Sequence, residues 1–135
     1  MLIHLFGSWC PNSNDAAELM NEVCAAYAAR GLVVVGLAFE GTGDAALDRE
    51  RVAAFCASHG TAYPVLMAAG ETDKKKAAAL LPFLDRVHAY PTSVLIDRRG
   101  RISAIHTGFS GPATGEARAS MRLRVMSEIE RIVGE

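Results

Sequence analysis

The chain has 135 residues, half of them hydrophobic and 21% charged, with 14 Lys or Arg against 15 Asp or Glu and a formal net charge of −1. That length suits one domain spanning residues 1–135, able to bury a real core without staples, and the composition is that of a soluble globular protein. The even charge balance argues against a basic face built for nucleic acid or an anionic membrane, and no stretch reaches the ~18 consecutive apolar residues of a membrane span.

Leu2 to Phe6 read as a short buried strand. No basic n-region and no small-residue cleavage site precede it, so no export signal or membrane anchor is read in this chain. Two readings stand: upstream strands or an export segment have been removed, or the protein is a short cytosolic one. Gly7-Ser8-Trp9-Cys10-Pro11 breaks the strand. A helix follows over Pro11 to Arg30, with Ala16, Leu19, Met20, Val23 and Tyr27 at helical spacing. Pro11 takes the first helical position, where proline is favoured, and Gly31 stops the helix.

Leu32 to Phe39 is a continuous apolar run, expected to be a central strand covered on both faces. Asp44 caps a second helix that runs to about Ser58 and ends at His59-Gly60. Tyr63 to Met67 reads as a short strand. Asp73 caps a third helix over Lys74 to Leu84, whose lysine run is a solvated helix start. Ser93 to Asp97 and Arg101 to His106 are strands joined at Arg98-Arg99-Gly100. A glycine-rich loop, Gly108 to Gly115, lacks the Gly-Lys-Ser/Thr of a phosphate loop. Met121, Val125, Ile129 and Ile132 mark one face of a closing helix. The order β-α-β-α-β-α-β-β-α predicts an α/β fold: a central mixed sheet flanked by helices on both faces, ending in an antiparallel hairpin.

In such sheets chemistry collects at the carboxyl ends of strands, and Cys10 lies there, at the start of the first helix. Unpaired N–H groups and the partial positive charge of a helix N-terminus favour thiolate over thiol, and thiolate is the reactive form in disulfide exchange. Pro11 stiffens the turn, and Trp9 is expected to cover one side of the sulfur. The three cysteines, Cys10, Cys24 and Cys56, fit neither a zinc pattern nor a small disulfide scaffold. Cys24 lies about 21 Å from Cys10 along the helix at 1.5 Å per residue, too far for a disulfide. Packing is the expected role of both Cys24 and Cys56, though spacing leaves Cys56 open as a partner. His4 and His106 fall on strand patterns and are expected as core or edge residues. His88 precedes Tyr90-Pro91, where a groove-lining role is the alternative to plain exposure.

Trp9-Cys10-Pro11-Asn12-Ser13 resembles the W-C-x-x-C active site of thioredoxin-like proteins, with the last cysteine replaced by serine. Tyr90-Pro91-Thr92 resembles the family's cis-proline loop. Val94 to Gly100, Val34 to Glu40 and His106 to Gly111 narrow the resemblance to TlpA/ResA-like thiol–disulfide oxidoreductases over nearly the whole chain. The resemblance implies a thioredoxin fold and a bacterial protein that faces the periplasm, free or membrane-anchored. It implies protein disulfides or dithiols, or an external thiol, as partners, with no cofactor and no metal. By the same resemblance Cys10 is the nucleophile, Pro91 is cis and shapes the substrate groove with Tyr90, and Glu40 falls near an acidic residue that can relay protons.

Ser13 departs from the pattern. One turn along the helix, its hydroxyl can donate a hydrogen bond to the Cys10 thiolate, but an alcohol is scarcely ionised at neutral pH and cannot attack a mixed disulfide. The chain is therefore expected to stall at that intermediate until an external thiol arrives, whether the serine is natural or introduced. Two other functions are weighed against this one. A non-catalytic module would bind a partner in the groove around Trp9 and Pro91. A thiol peroxidase would need a Thr shortly before the cysteine, where this chain has Phe6-Gly7-Ser8-Trp9.

Overall fold

The computed structural model describes residues 1–68, 74–79 and 81–135, with positions 74, 75 and 78 described for the backbone alone. Its strands are β1 (Leu2–Phe6), β2 (Val34–Ala38), β3 (Val65–Met67), β4 (Thr92–Ile96) and β5 (Ile102–Thr107). The helices are α1 (Pro11–Tyr27), α2 (Ala45–His59), α3 (Lys74–Ala79) and α4 (Glu116–Val133). The five strands form one sheet in the order β3-β2-β1-β4-β5. β1 runs parallel to β2 and antiparallel to β4, β3 adds parallel to β2, and β5 closes the hairpin with β4. The mixed α/β sheet is the architecture that the order of elements predicts.

Side chains of β1 alternate between the two faces. Leu2 packs with Leu19, Met20, Val23 and Tyr27 of α1 and with Val125, Ile129 and Ile132 of α4. On the same face Phe6 packs with Ala17 of α1 and with Val52 and Phe55 of α2. Leu5 points the other way, into a cluster with Phe39, Ala77, Leu84, Tyr90 and Cys10. Each such Leu or Phe contributes about 1.5–3 kcal/mol on burial. The central strand therefore anchors both layers and aims its carboxyl end, followed by Cys10, at the rim between them.

Several boundaries differ from the sequence pattern. The α-helix of α1 stops at Tyr27, and Ala28–Arg30 tighten into a 3₁₀ turn. Gly31, at φ +89, takes the left-handed conformation that lets its N–H reach the Ala28 carbonyl. β2 is shorter than the apolar run, and Val35 and Leu37 are only partly buried, so the strand is not sealed on both faces. β3 lies at a sheet edge and exposes Leu66 and Met67. α3 ends at Ala79 rather than at Leu84. Pro82, which has no N–H to donate to a helix, follows, and Leu81 and Leu84 are buried outside any helix. Asp73, expected to cap α3, lies outside the described residues. Asp44 caps α2 as its sequence predicts, accepting from the N–H groups of Ala46 and Leu47.

Glu18 with Arg118 at 2.9 Å and Glu22 with Arg122 tie α1 to α4, and Arg30 of the 3₁₀ turn after α1 pairs with Glu130 of α4 at 2.8 Å. The partner numbers rise together, so the two helices run parallel and in register. Among the described residues no helix is long and apolar enough to cross a membrane.

Candidate functional site

α1 begins abruptly because Pro11 sets the helical φ and has no N–H to satisfy. Cys10 is its N-cap, with extended backbone (φ −90, ψ 119) and no capping bond from its side chain. The backbone fixes the turn instead: Cys10 N–H donates to the Gly7 carbonyl at 3.1 Å, and Cys10 O accepts from Asn14 N–H at 3.1 Å. Cys10 is 8% exposed. Its Sγ lies 3.5 Å from the carbonyl oxygen of Tyr90. The next peptide bond, Tyr90–Pro91, is cis. Pro91 is buried, and its carbonyl accepts from Gly108 N–H at 2.8 Å. Two segments about eighty residues apart thus meet at one sulfur.

The Trp9 indole folds back over Gly7, donates from Nε1 to the Phe39 carbonyl at 2.7 Å, and meets Tyr90 edge-on at 5.7 Å. It remains 48% exposed. Cys10 packs in the cluster it shares with Leu5, Phe39 and Tyr90. Ser13 is fully buried in the first turn of α1. Among the described residues its Oγ accepts from Gly7 N–H at 3.3 Å, and no hydrogen bond joins it to Cys10. Through that bond the hydroxyl holds the strand-to-helix turn.

Glu40 follows β2 and is 1% exposed. Ser8 Oγ donates to its Oε1. Burial pushes the carboxyl above its usual range, and nearby Asp48 adds to this, while the bonds from Ser8 and the charge of Arg51 oppose it. Asp48 is buried too, accepting from Thr42 Oγ1 at 2.6 Å and Thr42 N–H at 3.2 Å. Glu40 is thus tied through Ser8 to the turn that carries Cys10 and is not a free loop carboxylate.

All three cysteines are free thiols. Cys24 and Cys56 are half-buried, and burial pushes the Cys24 thiol up. His88 is exposed and accepts from Arg86 Nε at 3.2 Å. His4 is buried in β1, 3.0 Å from Ser93 Oγ, and burial lowers its pKa to about 4. His106 Nε2 pairs with Glu128 at 3.0 Å. Among the described residues no three His, Cys, Asp or Glu side chains converge to hold a metal ion.

Sequence reasoning missed Gly7, Ser8, Asn14 and Phe39. A Cβ on Gly7 would sit 2.3 Å from Trp9 Nε1, so only glycine admits the folded indole. Asn14 Nδ2 donates to the carbonyls of Ser8 and Cys10, both at 3.1 Å, and its Oδ1 lies 2.8 Å from His59 Nε2. One side chain thereby pins the turn to α2. A polar residue four positions after an N-cap was the available signal for Asn14. Nothing local marks Phe39, whose contribution is a backbone carbonyl.

No protein-family model matches the chain, and no curated protein matches its sequence. Solved structures do match in three dimensions. One, described as a thiol:disulfide interchange protein DsbE from Chlorobium tepidum, aligns over 98% of this chain and 78% of its own, with TM-score 0.73 and 22% identity. A thioredoxin-like superfamily protein aligns over 99% of this chain and 79% of its own, with TM-score 0.70 and 23% identity. A secreted Mycobacterium tuberculosis disulfide oxidoreductase, homologous to Escherichia coli DsbE, aligns over 93% and 79%, with TM-score 0.63 and 18% identity. At such identities the likeness establishes architecture, and the architecture is the thioredoxin-like fold.

Proposed function

We propose that this protein is a thiol–disulfide exchange protein with Cys10 as its nucleophile and no internal resolving thiol. The observation that supports this reading best is the placing of Cys10 Sγ. It sits at the N-terminus of α1, 3.5 Å from the carbonyl that precedes the cis Tyr90–Pro91 bond. The Tyr90–Pro91 turn offers backbone groups to an extended substrate segment. The Cys10 thiolate attacks one sulfur of a substrate disulfide. A new S–S bond forms, the old one breaks, and the second substrate sulfur departs as thiolate with the electron pair.

The mixed disulfide then waits. Ser13 offers a hydroxyl already engaged with Gly7, and an alcohol is no nucleophile toward disulfides at neutral pH. An external thiol completes the cycle. Glu40 serves as a proton reservoir behind the turn, reached through Ser8. The solved structures of disulfide oxidoreductases that share the fold support protein disulfides as the substrate class and an exported site of action.

Incubation with glutathione disulfide, followed by peptide mass spectrometry, tests the nucleophile. One glutathione is expected on Cys10 well before Cys24 or Cys56 reacts, and none on Cys10→Ala. Equal labelling of Cys24 and Cys56 with Cys10 unmodified would overturn the proposal.

A further inference from the structure

Asn14 and Asn21 stand two helical turns apart on one face of α1, and both reach the C-terminal end of α2. Asn21 holds the backbone there: its Nδ2 donates to the His59 carbonyl at 2.9 Å, and its Oδ1 accepts from Ala62 N–H at 3.0 Å. The His59 ring packs 4.4 Å from the Phe55 ring. With backbone and ring both held, His59 Nε2 meets Asn14 Oδ1 at 2.8 Å. The direction of that bond follows from the other end of the same amide. Asn14 Nδ2 donates to the carbonyls of Ser8 and Cys10, and only the NH₂ end of an amide can donate. The Oδ1 therefore faces His59, and Nε2 bears the hydrogen, as it does in imidazolium and in one of the two neutral tautomers.

The turn that carries Cys10 has several ties. Ser13 Oγ accepts from Gly7 N–H, Trp9 Nε1 donates to the Phe39 carbonyl, and Ser8 Oγ donates to Glu40. The Asn14 tie differs from these, because it grips the carbonyl of Cys10 itself and is held in turn by a second helix. We propose that His59 is a positioning residue for exchange at Cys10, a role that rests on the exchange function above. Its Nε2–H fixes the rotation of the Asn14 amide. The amide spans Ser8 and Cys10, and so fixes the peptide path on either side of Trp9. That path sets the direction in which the Cys10 side chain leaves the backbone, with Sγ 3.5 Å from the Tyr90 carbonyl. Attack on a disulfide is directional, since the entering sulfur lies in line with the bond that breaks, and small losses of orientation cost rate. His59 thus acts on Cys10 through Asn14.

The test measures the rate at which glutathione disulfide loads Cys10, by acid-quenched peptide mass spectrometry, beside urea unfolding of each protein. His59→Phe keeps a ring against Phe55 and removes the donor. Its loading should fall roughly threefold to tenfold, the size of one lost hydrogen bond. His59→Gln gives up the ring but has an amide N–H that reaches the place of Nε2. It should load close to the parent rate even though it unfolds at lower urea. Asn14→Ala should be slowed like His59→Phe, and the double variant no more than either alone. Alkylation of Cys24 by iodoacetamide should keep one rate throughout. An unchanged rate in His59→Phe, equal slowing in His59→Gln, or slowing that multiplies in the double variant overturns the positioning role and leaves the exchange function standing. Loading of Cys10 no faster than that of Cys24 in the parent overturns both.

Discussion

At the residue scale, the site is held by groups that do no chemistry of their own. Gly7 leaves room for the indole that bonds to Phe39, and Asn14 clamps the turn from inside α1. Gly7→Ala should expel the indole from the Phe39 carbonyl. Because Trp9 is the only tryptophan, the change reads directly as a shift in its fluorescence. A loss of about 1–3 kcal/mol in urea unfolding, the usual cost of overpacking, should accompany it. An unchanged emission maximum would mean that Gly7 is not needed for the packing of Trp9.

Glu40 carries a cost of the opposite kind. Its carboxyl is raised in the fold, chiefly by burial, so the native state prefers the protonated form more than the unfolded chain does. The stability tied to that group is fully present below the unfolded value near 4.5 and is lost as pH rises through the folded value. Glu40→Gln keeps an acceptor for Ser8 and removes the charge. It should be more stable than the parent above that range, with the gap closing as the medium is acidified. Urea unfolding of both proteins across pH checks this.

At the element scale, β1 carries an unusual core residue. His4 is buried, stacks on Phe6 and faces Ser93 Oγ across the β1–β4 pairing. With its pKa lowered from 6.5 to about 4 in the fold, the unfolded chain binds the proton first on acidification. Stability is full above about pH 6.5 and falls as pH drops toward 4, by about 3 kcal/mol over the window. His4→Gln, which retains a partner for Ser93, should lack this component. Identical acid sensitivity in the variant would show that His4 does not titrate with unfolding.

Elements with local signals were legible. Pro11, Asp44 and Gly60 mark helix ends by backbone conformation and capping alone, and each stands at the end it announces, whereas Gly31 closes the 3₁₀ turn that follows α1 rather than α1 itself. Boundaries set by tertiary context were not. The apolar run around β2 extends beyond the ladder because Leu32 and Phe39 are buried by packing rather than by pairing. The same holds for Leu81 and Leu84, which look helical in spacing but sit beyond the end of α3.

At the scale of the whole molecule, alternating strands and helices followed by a hairpin left few topologies open, and the mixed sheet follows from that order. The meeting of Cys10 with the Tyr90–Pro91 turn was legible only through the resemblance of Tyr90-Pro91-Thr92 to a cis-proline loop, since about eighty residues of sequence separate the two segments. The roles of Trp9 and Ser13 were not. Their contacts depend on the Phe39 carbonyl and the Gly7 N–H, which only the folded backbone presents. In the assembled scaffold position 13, one helical turn from Cys10, holds a hydroxyl.

The measurement that bears most directly on this account is the fate of a glutathione adduct on Cys10 in the parent chain and in Ser13→Cys. The parent should keep the adduct until thiol is added. The variant should expel it unaided and form an internal disulfide between Cys10 and the introduced thiol, visible as the loss of glutathione mass and of one free protein thiol. An adduct that persists equally in both proteins would contradict the account, because the scaffold would then lack more than a resolving sulfur.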